Sequence, residues 1–243
     1  MELFTDTGAQ MFSRYLHVVF GVLWIGLLYY FNFVQVPSFA QFEAAGRTEA
    51  IAKLVPRALW YFRWAAVATV VTGLLILTLQ EPDGSYFKSP SGISISLGMG
   101  LGIIMFLNVW GVIWRNQKIV IASAQGVLEG KPADPAAADA GRRGLLASRT
   151  NAIFSIPLLF FMVFTGHLAS ASAYPGAEDS GKRMMFWGPV LLVVALLELN
   201  ALGVIGGIGQ GPTKKYMETH KNAIITGAVL FAAFYLWFEL ALS

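Results

Sequence analysis

The chain has 243 residues, of which 56% are hydrophobic and only 13% are charged, with a formal net charge of +3. A soluble domain carries roughly 25% charged residues, so this composition excludes an ordinary soluble enzyme and predicts an integral membrane protein. The sequence has no Cys, which excludes disulfides, thiolate metal sites, iron–sulfur clusters and a covalent c-type haem. So small a net charge gives no reason to expect nucleic acid as a partner.

Apolar segments recur along the whole chain and predict its fold class. Each is close to the roughly 20 residues that a helix needs to cross the hydrocarbon layer, and none shows the strict alternation of barrel strands. We therefore predict an all-α integral membrane protein, a bundle of about six transmembrane helices in a single membrane domain, 1–243. The predicted spans are about 11–35, 58–79, 93–114, 150–171, 186–207 and 222–242.

Basic residues predict how these spans are oriented. The N-terminal stretch Met-Glu-Leu-Phe-Thr-Asp lacks the basic region and cleavage site of a signal peptide, so we expect the first span to be retained. If the N-terminus is outside, 13 of the 17 basic residues lie on the inner side, and the positive-inside rule then places both termini on the periplasmic face. The inner residues are Arg47, Lys53, Arg57, Arg63, Arg115, Lys118, Lys131, Arg142, Arg143, Arg149, Lys214, Lys215 and Lys221.

Two connecting segments and one proline refine this topology. The longest loop, 115–149, is predicted to be cytoplasmic, with Asp134 as the N-cap of a helix and Pro135 at its first position. The segment 38–56 mixes apolar and charged residues and is expected to lie along the membrane interface. Pro157 lies inside the fourth span, where it should kink the helix.

Two pairs of glycines have the spacing that lets membrane helices approach closely. Gly98 with Gly102 belongs to the third predicted span, and Gly203 with Gly207 belongs to the fifth. Both pairs are predicted to lie in helix–helix contacts.

Two histidines lie at matching depth in different predicted spans. His17 lies about two turns into the first span from its outer end, and His167 lies about one turn from the outer end of the fourth. At ~1.5 Å rise per residue, both lie ~5–10 Å inside the same leaflet. A b-type haem or a metal bridged between helices needs such a pair, so His17 and His167 are predicted to be axial ligands of a haem b iron. The alternative is that each makes only a helix–helix hydrogen bond.

Three neighbours share the helix face of His17 because they lie at offsets of −3, +4 and +7. Gly21 would let a flat macrocycle approach the backbone, which makes it a predicted cofactor-binding residue. Arg14 could pair with a haem propionate or an anionic substrate, and Arg14 and Trp24 are both predicted catalytic residues. The alternatives are that Arg14 extends to the interface and that Trp24 packs in the core.

Other polar residues lie within or at the ends of the predicted spans. Glu198, near the middle of the fifth span, is a further predicted catalytic residue because a buried carboxylate can relay protons. Its alternative role is a hydrogen bond between helices. Asn32, Asn108 and Asn151 lie near the inner ends of spans one, three and four, and are expected to form a structural network with Arg149.

Three strings carry a resemblance to a known family. The first span contains His17-Val-Val-Phe-Gly-Val-Leu-Trp, the fourth begins Ser148-Arg-Thr-Asn-Ala-Ile-Phe-Ser-Ile-Pro, and the third ends Gly111-Val-Ile-Trp-Arg-Asn-Gln-Lys. Together they resemble the membrane domain of the bacterial cytochrome c-type urate oxidase (urate hydroxylase) family, and the likeness extends over most of the chain. The positions that match family motifs are His17, Trp24, Asn32, Arg149, Thr150, Asn151 and Ser155.

The resemblance implies an oxidoreductase of purine catabolism. In that family, a multi-span domain of the bacterial inner (cytoplasmic) membrane precedes a periplasmic cytochrome c, and the whole oxidises urate to 5-hydroxyisourate. The predicted topology places the C-terminus on the outer face, where such a cytochrome would lie.

The sequence also departs from that family. It ends at Ser243 without Cys, so we expect no cytochrome c domain, and electrons must leave through a separate cytochrome c or another electron carrier. The alternative function is a non-catalytic accessory subunit of a larger respiratory or photosynthetic membrane complex. A transporter is a third hypothesis, supported only by Glu198 and the helix that Pro157 interrupts.

Overall fold

A computed structural model of the chain describes residues 4–80, 84–170 and 174–243. It is 85% helical, and the residues described contain no strand, which confirms the all-α prediction. Within these ranges, six helical stretches are long and apolar enough to cross a membrane, as predicted. They are Asp6–Phe39, Ala44–Gln80, Pro90–Leu128, Ala137–His167, Ser180–Ala201 and His220–Leu242. Residue 171, the predicted end of the fourth span, lies outside the described residues.

Most of these helices extend beyond the predicted spans. The segment 38–56, expected to lie along the interface, is helical from Ala44 onwards, and the predicted cytoplasmic loop 115–149 is helical up to Leu128 and again from Ala137. Apolar composition marks where the lipid ends, whereas a helix continues through residues such as Ala, Glu, Lys and Arg that favour it in water. Hydropathy therefore located the spans but not the helix ends.

Two of the six stretches contain a π-helical segment. Tyr30–Gln35 (π1) and Asn108–Ile113 (π2) each interrupt an apolar stretch, and such segments occur frequently at functional sites. The helices in chain order are α1 (Asp6–Tyr29), α2 (Val36–Phe39), α3 (Ala44–Gln80), α4 (Pro90–Leu107), α5 (Trp114–Leu128), α6 (Ala137–His167), α7 (Ser180–Ala201), α8 (Lys215–Glu218) and α9 (His220–Leu242).

The outward faces of several helices are apolar, as contact with lipid requires. Val22 on α1, Val163 on α6 and Leu240 on α9 are each more than half exposed. In water this would be costly, because exposed apolar area is unfavourable there. The chain is therefore a multi-pass membrane protein with lipid as one partner.

The first of two compact units comprises Met1–Leu79 and Phe106–Asn151. In this unit the buried ring of Phe62 on α3 meets Phe31 of π1 edge-on, with 5.3 Å between the ring centres. Asp134 acts in the turn before α6, where its Oδ1 accepts a hydrogen bond from the Ala136 amide at 2.8 Å. Asp134 thus caps a turn, as its short polar side chain favours, and α6 begins later than predicted.

The second compact unit comprises Gln80–Met105 and Ala152–Ser243. Here α4 packs closely on α6, as the glycine spacing predicts: a Cβ on Gly98 would lie 3.2 Å from Met162, and one on Gly102 would lie 3.4 Å from Leu158. The prediction for Gly203 and Gly207 is wrong. Both have left-handed φ angles, +79° and +65°, and lie in the turn that follows α7, because glycine tolerates that conformation without steric cost.

Pro157 lies inside α6, which runs unbroken through it. The kink expected there, from the loss of one backbone hydrogen bond, stays a prediction.

Candidate functional site

His17 joins α1 to α3 through one ring nitrogen. Its Nδ1 lies 2.9 Å from the carbonyl oxygen of Thr69 and 3.3 Å from the hydroxyl oxygen of Thr72. A carbonyl oxygen can only accept, so Nδ1 carries the hydrogen and, in the neutral imidazole, Nε2 presents a lone pair. The ring is therefore held in the tautomer in which Nε2 is the nitrogen able to bind a metal.

Gly73 makes the approach of this ring to α3 possible. A Cβ at Gly73 would lie 3.0 Å from Cε1 of His17 and 3.3 Å from its Nδ1, which is tighter than ordinary contact. The sequence analysis missed Gly73 because it lies on another helix from His17. The only signal is the run Thr69-Val-Val-Thr-Gly, where two hydroxyls and a glycine break an otherwise apolar span.

The arrangement around His17 fits the axial ligand of a haem. Ligating histidines commonly donate their second ring N–H to a carbonyl or carboxylate, which orients the ring and raises the basicity of the ligating nitrogen. The Thr69 carbonyl occupies that position. The helix–helix hydrogen bond, the alternative role foreseen for His17, is also present, and it uses only one of the two nitrogens.

The three neighbours of His17 on α1 differ in their surroundings. Arg14 is exposed, whereas Trp24 is buried with 3% of its surface accessible. Trp24 Nε1 is enclosed without a hydrogen-bond partner among the described residues, and the burial of its ring agrees with the alternative role in core packing. Gly21 faces α3, where a Cβ would lie 3.9 Å from the Thr69 methyl group. Its contact with a macrocycle stays a prediction, as do the catalytic roles of Arg14 and Trp24.

His167 belongs to the second unit and lies at the last residue of α6. It is exposed, and its Nδ1 lies 2.9 Å from the carbonyl oxygen of Val163, one turn earlier in the same helix. The carbonyl again requires Nδ1 to donate, so Nε2 is the potential ligand atom in the neutral ring. The role of His167 as an axial ligand stays a prediction.

Glu198 does not lie in the middle of its span. The fifth helix ends at Ala201, before the left-handed Gly203, so Glu198 lies in its last turn and is partly exposed. Burial, and then the negative charge of Glu198, raise the pKa of the Tyr216 hydroxyl. The carboxylate therefore lies at the polar end of α7 beside Tyr216. Its predicted catalytic role is not tested by this position.

A buried lysine closes the same end of α7. Lys214 has none of its surface accessible, and its ammonium donates to the carbonyl oxygens of Asn200 and, at 3.5 Å, of Ile205. The Tyr216 hydroxyl donates to Oδ1 of Asn200 at 2.9 Å. The last carbonyls of a helix lack partners within the helix, and a cation there also complements its dipole. Lys214 was predicted only as one of the 13 basic residues on the inner side of the membrane, and its burial was not expected.

The polar network predicted at the inner ends of the spans is partly confirmed. Asn108 Nδ2 donates to Oδ1 of Asn151 at 2.9 Å, and Asn32 Nδ2 donates to the Ser148 hydroxyl at 2.8 Å. Arg149 is buried with 3% of its surface accessible. Each π segment thus contributes an Asn to a hydrogen bond with α6, buried for Asn108 and partly buried for Asn32. Ser148 was not foreseen as a member.

The resemblance to the urate oxidase membrane domain depends on the sequence strings and on nothing else. The chain matches no protein-family model, and neither a curated protein nor a solved structure is detectably similar to it.

Proposed function

We propose that this chain is a membrane redox protein that holds haem b on His17 and passes electrons to a separate carrier such as a cytochrome c. The observation that carries the proposal is the 2.9 Å contact between Nδ1 of His17 and the Thr69 carbonyl oxygen, which leaves Nε2 as a ligand atom. When bound, haem b supplies one-electron oxidation and reduction.

The residues around His17 would each serve the site in a different way. Thr69 holds the tautomer and the ring plane, and Gly73 leaves room for the ring against α3. Arg14 lies one turn earlier on the helix face of His17, and its exposed guanidinium suits a carboxylate such as a haem propionate. His167 stays the predicted second axial ligand.

The substrate class comes from the family resemblance. Urate is a planar anion at neutral pH, so a guanidinium such as that of Arg14 is a suitable partner for it. The resemblance and the distribution of basic residues support a place in the bacterial inner membrane, with both termini periplasmic. Alkaline phosphatase fusions at residue 243 would test that orientation, because only a periplasmic C-terminus gives an active fusion.

A reduced-minus-oxidised absorption spectrum of the purified protein tests the haem. We expect a haem b signal that His17→Ala abolishes and that His220→Ala preserves, since His220 begins α9 and is the third histidine of the chain. His167→Ala, measured separately, should lower or shift the signal. A wild-type protein without the signal after expression with sufficient haem would refute the proposal.

Anaerobic addition of urate tests the reaction. We expect urate to reduce the haem, and Arg14→Gln to slow this step while keeping the spectrum. If no haem binds and the protein instead co-purifies with a respiratory or photosynthetic complex, the accessory-subunit alternative is correct.

A further inference from the structure

A cluster of tryptophans and basic side chains from α3, π2 and α5 lies in the first unit. The guanidinium carbon of Arg63 lies 3.8 Å from the ring centre of Trp114 and 5.7 Å from that of Trp110. Trp64 meets Trp110 edge-on at 5.6 Å. Arg63 is thus held against two indole rings, an arrangement that the ring quadrupoles favour.

A second cation shares one of these rings. Lys118 places its ammonium nitrogen 5.8 Å from the ring centre of Trp114, so two positive charges flank a single indole. Neither Arg63 nor Lys118 belongs to an ion pair in the described part of the chain, unlike Lys53 and Lys131, which pair with Glu49 and Glu129. Like charges repel, so this cluster carries a positive charge that an anion would neutralise.

The depth of the cluster in the membrane indicates the kind of anion. Arg63 lies about one and a half turns inside the inner end of the predicted second span, and the predicted third span ends at Trp114, followed by Arg115. Tryptophan and tyrosine prefer this level, where their rings lie among lipid headgroups. The cluster therefore lies at the inner ends of two spans, from which long basic side chains such as those of Arg63 and Lys118 can extend to the lipid phosphates.

The side of α3 that faces away from the protein adds exposed aromatic surface close to the cluster. Trp60, Tyr61 and Trp64 are each about half exposed. Trp60 and Tyr61, with Pro56 and the exposed Arg57, line a shallow groove about one turn before Arg63. Indole faces of this kind suit the glycerol and upper acyl region of a lipid. A free inorganic anion has no apolar part that could contact them.

We propose that this surface binds an anionic phospholipid, with Arg63 and Lys118 on the headgroup phosphate and Trp64 beside the glycerol and upper acyl region. Arginine donates charge-assisted hydrogen bonds to phosphate, and basic pockets between membrane helices are suited to anionic headgroups. The site is independent of His17, so its failure or success leaves the haem proposal untouched.

Thermal unfolding of the purified protein with defined lipids tests this site. The delipidated protein is titrated with phosphatidylglycerol or phosphatidylcholine, and native mass spectrometry counts the lipids retained. We expect phosphatidylglycerol to raise the Tm and to be retained, and phosphatidylcholine to do neither. Arg63→Gln and Lys118→Gln should each weaken the apparent affinity for phosphatidylglycerol by about tenfold.

Lys131→Gln is the matched control, because it removes the same charge from a lysine that is already paired with Glu129 at 2.6 Å. It should keep the affinity of the wild type. The proposal fails if Lys131→Gln weakens binding as much as the other two variants, if phosphatidylcholine binds equally well, or if inorganic phosphate stabilises the protein to the same degree. Should Arg63→Gln fail to fold, Lys118→Gln decides, since Lys118 is exposed.

Discussion

Nδ1 of His17 lies 2.9 Å from the carbonyl oxygen of Thr69, 52 residues further along the chain. This contact ties α1 to α3 with one ring nitrogen and leaves the other for a ligand. The packing role and the proposed haem role of His17 therefore coexist in one side chain. Variants that move the ring without removing it can separate the two.

Gly73→Ala is such a variant. The added methyl would lie 3.0 Å from Cε1 of His17, so we expect the ring to shift and the haem b signal to weaken or move in the absorption spectrum. Gly26→Ala is the control, because no heavy atom lies within 4 Å of its added Cβ, and alanine is up to about 1 kcal/mol better than glycine inside a helix. Identical haem content and spectra in both variants would contradict the assignment of His17 as a ligand.

The buried pair of Asn108 and Asn151 should stabilise the first unit. A double-mutant cycle of Asn108→Ala and Asn151→Ala, measured by unfolding in mixed micelles, should give a coupling energy of about 0.6–1.7 kcal/mol, the range for hydrogen bonds between membrane helices. Asn116→Ala is the control, because Asn116 donates only within its own helix, to the Val112 carbonyl oxygen at 2.8 Å. If the cycle of Asn116→Ala with Asn151→Ala gave an equal coupling energy, the coupling of Asn108 with Asn151 could not be assigned to their hydrogen bond.

These two sites show what the sequence can and cannot predict. The asparagines were expected to meet because polar side chains in apolar spans at one depth have few other partners. The π segments that carry Asn32 and Asn108 were not expected, since an extra residue in a helical turn leaves no mark on hydropathy. Gly73 was missed for a related reason: its importance depends on which helix lies opposite, and only tertiary structure determines that.

The position of Glu198 shows a second limit. The run from Leu202 to Ile208 is apolar enough to count as membrane span, yet its glycines adopt left-handed conformations and end the helix. Composition measures transfer into lipid, whereas helix termination depends on backbone geometry at single residues. The number of spans was therefore predictable, and the depth of a residue near a span end was not.

Gly227→Ala should destabilise the second unit. A Cβ at Gly227 on α9 would lie 2.5 Å from a methyl carbon of Ile156 and 3.0 Å from the carbonyl oxygen of Ile153. The backbone oxygen cannot move without disturbing α6, so overpacking should cost about 1–3 kcal/mol, seen as a lower free energy of unfolding. Gly100→Ala, with open space around the added methyl, should be neutral or slightly stabilising. If Gly227→Ala left the free energy of unfolding unchanged, α9 would pack less closely on α6 than these distances indicate.

Tyr216 should make the stability of the second unit fall in alkali. Burial and the nearby charge of Glu198 raise its pKa above the ordinary value of 10.0, so the folded protein keeps the hydroxyl neutral where the unfolded chain ionises. Its contribution is complete below pH 10 and is lost as the pH rises towards the folded pKa, because the unfolded state then releases a proton that the folded state retains.

Tyr216→Phe tests this linkage. At neutral pH it should be less stable by about 1 kcal/mol, since the hydrogen bond to Asn200 is lost. Its free energy of unfolding should then fall less steeply than that of the wild type above pH 10. Tyr15→Phe is the control, because Tyr15 is exposed on α1. If the free energy of unfolding fell equally steeply above pH 10 in the wild type and in Tyr216→Phe, the hydroxyl would ionise as readily in the folded protein as in the unfolded chain. Tyr216 would then not be buried against the end of α7.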